Sequence, residues 1–151
     1  MPEISGVITT HLRALGAGTR DRVVFAILTR NPYFIEDLPV TRDDGEVWVD
    51  IANIKDGVLL RFRDGELDSV RTSARQEGDY YPYPEPEQLI SGLDVSTVTP
   101  EDVAAVLGEP SEKQPRDEDG GTHGLRYDVD GGVVTLTFRD DQLTTVTVSR
   151  S

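Results

Sequence analysis

The side chains able to do acid–base, nucleophilic or metal chemistry are few in this chain and scattered. His11 and His123 are its only histidines, and it has no cysteine. Thiolate catalysis, disulfides and most structural zinc schemes are therefore excluded. The two histidines stand in unlike contexts in different halves of the sequence. The run Arg116-Asp117-Glu118-Asp119-Gly120-Gly121-Thr122-His123 offers carboxylates to a hard cation. It lacks the alternating spacing and terminal Glu of a calcium loop, and reads as a solvated acidic loop. Asp140-Asp141 reads as a turn before it reads as an acid–base pair. No Gly-x-Ser-x-Gly, phosphate loop, dinucleotide fingerprint or His-Glu-x-x-His occurs. The expectation is a non-enzymatic protein with no cofactor and no metal.

Binding chemistry is better represented. Tyr80, Tyr81 and Tyr83 lie among acids and prolines in Glu77-Gly78-Asp79-Tyr80-Tyr81-Pro82-Tyr83-Pro84-Glu85-Pro86-Glu87, and Tyr supplies rigid contact area with a polar tip. With Trp48, Tyr127 and the loop acids Asp117, Glu118 and Asp119, they form the candidate contact set. The chain carries 28 acidic and 15 basic residues, a formal net charge of -13. Nucleic acid and anionic lipid are disfavoured, since both bind through Lys and Arg that displace counterions. The electrostatic complement is another protein, and a basic one. The start, Met-Pro-Glu-Ile-Ser-Gly, lacks a basic and then apolar leader, and no apolar stretch approaches a membrane span; a cytoplasmic location is expected.

The elements that must position these residues recur in the sequence. Phe62-Arg63-Asp64-Gly65-Glu66-Leu67-Asp68-Ser69-Val70-Arg71-Thr72-Ser73 aligns with Phe138-Arg139-Asp140-Asp141-Gln142-Leu143-Thr144-Thr145-Val146-Thr147-Val148-Ser149, and six of the twelve positions are identical. Ile4-Ser5-Gly6-Val7 matches Ile90-Ser91-Gly92-Leu93, Thr19, Val23 and Ile27 fall on Thr99, Val103 and Leu107, and Trp48-Val49-Asp50-Ile51 lies over Arg126-Tyr127-Asp128-Val129. Ordered matches of this kind indicate an internal repeat. The reading is α+β: two tandem repeats, residues 1–73 and 89–151, each with one or two short helices followed by an antiparallel sheet of three or four strands. A Tyr/Pro/Glu-rich linker, 74–88, joins them.

In the second repeat Thr99 caps a helix opened by Pro100-Glu101-Asp102 and closed by Gly108 and Pro110, with Val103, Val106 and Leu107 as its apolar stripe. In the first, Thr19 is expected to cap a helix whose stripe is Val23, Val24, Ile27 and Leu28, ending at Asn31-Pro32; a further short helix spans Ile8 to Leu15. Strands are expected over 47–54, 58–63, 67–72, 125–129, 133–139 and 143–148, with tight two-residue turns at Asp64-Gly65 and Asp140-Asp141. Unbroken pairing from the first turn would set Leu60 opposite Ser69 and Arg61 opposite Asp68, with Leu59 and Val70 sharing a face. The same alternation puts Val133, Thr135, Val146 and Val148 opposite to Val134, Leu136, Phe138 and Leu143. One face would lie under helices, and the other would form a surface rich in Thr, Val and Arg. The two units are expected to join edge to edge or face to face.

The segment Leu89-Ile90-Ser91-Gly92-Leu93 through Thr99-Pro100-Glu101-Asp102-Val103-Ala104-Ala105-Val106-Leu107-Gly108-Glu109-Pro110 resembles the helical motif of the SmpA/OmlA (BamE) and beta-lactamase inhibitory protein superfamily, in which a Thr-led helix ends in Leu-Gly-x-Pro before a run of strands. The first repeat has Leu28-Thr29-Arg30-Asn31-Pro32 at that point. The resemblance implies tandem units whose sheets present a shared binding face. The leading expectation is a protein–protein binding module, of which an immunity or inhibitor protein occluding a basic partner is the specific form considered. A small-molecule-binding or degenerate enzyme domain with a pocket between the repeats, and a structural homodimer, are the alternatives.

Overall fold

The computed structural model describes residues 2–114 and 121–151. Among these residues an α+β architecture sets three helices, α1 (Ile8–Ala14), α2 (Arg22–Arg30) and α3 (Pro100–Leu107), against one large antiparallel sheet. The nine strands are β1 (Ile35–Glu36), β2 (Val40–Thr41), β3 (Val47–Asn53), β4 (Val58–Arg63), β5 (Glu66–Ser73), β6 (Glu112–Gln114), β7 (Thr122–Val129), β8 (Gly132–Arg139) and β9 (Gln142–Ser149). They run β1-β3-β4-β5-β9-β8-β7-β6, with β2 beside β1 on the outer edge of β3. The six long strands match the sequence expectation within a few residues. The short strands β1, β2 and β6 were outside it, since two or three residues are too few to display an alternation.

Both hairpin turns take the left-handed geometry that matches strand twist: φ is positive at Asp64 and Gly65 and again at Asp140 and Asp141. Pairing then departs from simple alternation. Phe62 faces Leu67, but one step on Arg61 faces Ser69 and Leu60 faces Val70. The second hairpin shifts at the corresponding place, with Phe138 opposite Leu143 and Leu136 opposite Val146. A bulge after Leu67 and another after Leu143 correct the expected Leu60–Ser69 and Arg61–Asp68 pairs. The physical reason is burial. The extra residue lets apolar residues three apart, Leu67 with Val70 and Leu143 with Val146, turn to the same side. All four are buried, as are Leu60, Phe62, Leu136, Phe138 and Val148.

That side carries the helices. Val24 and Ile27 of α2, Ile8 and Leu12 of α1, and Val103 and Leu107 of α3 belong to one continuous apolar cluster with the sheet residues. α3 has the expected start: Thr99 Oγ1 accepts from the Asp102 N–H at 3.3 Å, and the Thr99 N–H donates to the Asp102 carboxylate at 3.0 Å. α2 corrects the expectation, because Asp21 and not Thr19 is its cap. The Asp21 backbone is extended and its carboxylate accepts the Val23 N–H at 3.1 Å, where a charged acceptor suits the positive end of the helix. Val106 also leaves its expected stripe and is exposed at the margin.

β5 pairs with β9 from Ser69↔Ser149 to Ser73↔Thr145, so the hairpin sheets meet edge to edge. On the helical side the two Ile-Ser-Gly segments meet as well. The Ser91 N–H donates to Ser5 O at 2.9 Å, and the Val7 and Ile8 N–H groups donate to Gln88 and Leu89 O, each at 3.0 Å. Gly6 has φ +109°, and a Cβ there would lie 2.6 Å from Leu89 O, so only glycine permits this approach. Residues 74–88 contain no helix or named strand, as their prolines require. Leu136→Ala is expected to lower unfolding free energy by about 2–5 kcal/mol, and Thr99→Ala by about 1 kcal/mol, both read from denaturant titrations.

Candidate functional site

The opposite side of the sheet is free of helices among the described residues. Because β3 and β4 pair Trp48 with Arg63, Asp50 with Arg61 and Ala52 with Leu59, these side chains share that side. Arg71, Thr147 and Thr135 continue it across the β5–β9 joint and onto β8. Thr135, Thr137, Thr145 and Thr147 are all partly exposed. The expected Thr- and Arg-bearing face therefore exists, but Val146 and Val148 belong to the core side, since the bulge reverses their alternation.

Trp48 is the centre of the richest chemistry. The Arg42 guanidinium stacks 4.0 Å from its ring centroid and that of Arg63 lies at 5.9 Å, each a favourable cation–π placement. Next to it Arg61 holds Asp50 through two hydrogen bonds, Nε to Oδ1 at 2.9 Å and Nη2 to Oδ2 at 3.1 Å. This fork raises the Arg61 pKa and fixes both side chains flat on the strands. Arg63 reaches Glu46 at 3.4 Å and Asp68 at 3.9 Å, and Arg150 joins Asp68 at 3.6 Å. The result is a surface of ordered arginines held by carboxylates around one indole.

The sequence candidates divide between surface and core. Trp48 and Tyr80 come together on the helix-free side: Arg71 sits 5.1 Å over the Tyr80 ring, and partial burial raises the Tyr80 pKa against the pull of that cation. Tyr81 is exposed nearby, its N–H bonded to Ile54 O at 2.9 Å. Tyr83 and Tyr127 are corrections, because they are 3% and 0% exposed. Tyr127 spends its hydroxyl on Gly108 O at 2.9 Å, closing the end of α3. Burial raises the pKa of both tyrosines, and neither is available to a partner. Asp117, Glu118 and Asp119 lie outside the described residues. Arg42, Arg61, Arg63 and Arg71 were missed, although their interleaving with Trp48 and Asp50 on paired strands was a usable signal.

The histidines are not brought together. His123 stacks on Phe138 at 5.4 Å on the helical side. His11 is buried at the α1–α2 contact, and its pKa falls to about 4, through loss of solvent first and the nearby Arg30 charge second. Among the described residues no group of His, Asp and Glu is placed to hold a metal ion. Nor does any helix among them have the length and apolarity to cross a membrane. A cavity of about 730 Å³ lies between the N-terminal segment Pro2–Ser5 and the β7–β8 turn at Asp130 and Gly131, with Arg13 at its wall. No protein-family model, curated protein or solved structure matches the chain.

His11 makes folding sensitive to pH. Its folded pKa is below the unfolded value of 6.5, so its neutral form contributes stability in full above pH 6.5. That contribution is lost as pH falls toward about 4, a total of about 3 kcal/mol. His11→Gln is expected to flatten stability between pH 6.5 and 5, measured by urea titration at each pH; an unchanged slope contradicts this.

Proposed function

We propose that this chain is a non-enzymatic binding module that lays its helix-free sheet face against a basic protein, occluding it as an immunity or inhibitor protein would. The observation that carries the reading is the exposed face itself, with Trp48 between Arg42 and Arg63 and Tyr80 under Arg71. Aromatic and Arg side chains held in place before contact are those that most often dominate binding energy. A net charge of -13 favours approach by a basic partner. We read the architecture as two diverged copies of one unit. Two features support this: the corresponding bulges beside Phe62 and Phe138, and the contact between the two Ile-Ser-Gly segments. The likeness to the SmpA/OmlA and beta-lactamase inhibitory protein superfamily belongs to the same proposal.

The cavity of about 730 Å³ between the N-terminal segment and the β7–β8 turn favours a second reading, small-molecule binding between the halves. A metabolite that raises the melting temperature with concentration, and stops doing so in Arg13→Ala, supports it; no such metabolite speaks against it.

For the sheet-face reading, the tagged chain is expected to co-purify from its native cell with one stoichiometric protein, released by raising salt to about 0.5 M. Thr135→Arg with Thr147→Arg, which places bulk at the centre of the face, is expected to reduce recovery at least tenfold with unchanged circular dichroism. Recovery of no partner, or equal recovery by this variant, contradicts the reading.

A further inference from the structure

The helix-free face has an apolar margin that the rest of the molecule leaves uncovered. β1 and β2 pair with β3 so that Ile35 opposes Ala52 and Val40 opposes Trp48, which puts Ile35 and Val40 on the Trp48 side. Leu38, between them, lines a cleft of about 240 Å³ with Val40, Trp48 and Arg42. Ile35 is 69% exposed, Leu38 86% and Val40 61%. Large aliphatic side chains so exposed, and adjacent, are uncommon unless they serve an interface. The Trp48 indole Nε1 faces no solvent and has no acceptor among the described residues, so this margin also carries an unspent donor.

The charge around the margin leans negative. From Asp37 to Glu46 there are four carboxylates, Asp37, Asp43, Asp44 and Glu46, and of the guanidiniums nearby Arg61 is held by Asp50 and Arg63 by Glu46 and Asp68. Arg42 is already stacked on Trp48. The Glu46 N–H donates to Asp44 Oδ1 at 2.9 Å, which sets the two carboxylates side by side; their interaction lowers the Asp44 pKa and raises that of Glu46. A cation brought here relieves that repulsion. A second copy of this chain would bring more negative charge, and an anionic ligand would be repelled. The break at Asp37–Pro39 between β1 and β2 also blunts the edge against simple strand addition, which leaves side-chain docking as the mode of contact.

We propose that the margin formed by Ile35, Leu38, Val40 and Trp48 is an anchor site for an exposed segment of a protein partner in which Lys or Arg alternates with aliphatic side chains. Aliphatic groups of the segment cover Leu38 and Val40 beside the indole, and its cations meet the carboxylates of Asp37, Asp43 and Asp44. This rests on the sheet-face reading and specifies where its binding energy is concentrated.

Trp48 is the only tryptophan in the chain, so its fluorescence reports the site directly. The full chain is titrated with an eight-residue peptide alternating Lys and Val, and separately with Lys–Ser and Glu–Val peptides. A saturable change is expected with Lys–Val alone, weakened at least tenfold in Leu38→Ser/Val40→Ser with unchanged circular dichroism. No saturable change with Lys–Val, an equal response to Lys–Ser, or full affinity in the double variant each overturns the proposal. These outcomes are separable from failure of the sheet-face reading, whose variants Thr135→Arg and Thr147→Arg leave the margin intact.

Discussion

The pairing of β5 with β9 is the contact on which the rest of the molecule depends. Without it the sheet falls into two smaller ones, β1–β5 and β6–β9, each with a short helical cover and too small to bury its own apolar side well. With it, the hairpins at Asp64-Gly65 and Asp140-Asp141 become parts of one sheet, and a single apolar cluster runs beneath all three helices. The bulges after Leu67 and Leu143 serve this joint. They turn Val70, Val146 and Val148 toward the helices, so the two central strands are apolar on one side and carry Arg71, Thr145 and Thr147 on the other.

That division of sides underlies the proposed function. The helical side spends its polar groups internally, as with the Tyr127 hydroxyl on Gly108 and the buried, neutral His11. The other side holds its arginines in ion pairs and stacks, above all Arg61 with Asp50 and Arg42 on Trp48. Side chains ordered in this way would lose little freedom on binding the proposed partner. A net negative molecule with an arginine-bearing face and an acidic margin would offer the proposed partner several distinct local fields.

Much of this was legible in the residues. The α3 cap was announced by Thr99-Pro100-Glu101-Asp102, and the tight turns by their Asp and Gly. Thr19 misled because Asp21, two residues on, is the better acceptor at the helix start. The bulges were not legible, since strict alternation is the default for a strand. Only the gain from burying Leu67 with Val70, and Leu143 with Val146, reveals the extra residue. Tyr83 and Tyr127 resembled Trp48 and Tyr80 as candidates because an aromatic looks the same in sequence whether it faces core or solvent. The margin was visible only as Ile35, Leu38 and Val40 among acids, and its meaning depended on β1 and β2, which were too short to recognise.

Hydrogen exchange along the central strands tests the joint most directly. If β5 and β9 hold the two halves together, their interior amides exchange only through global unfolding, with the same opening free energy as amides of β4 and β8. Exchange of β5 and β9 through a separate, lower-energy opening, while the outer pairs β3–β4 and β7–β8 stay protected, would contradict it.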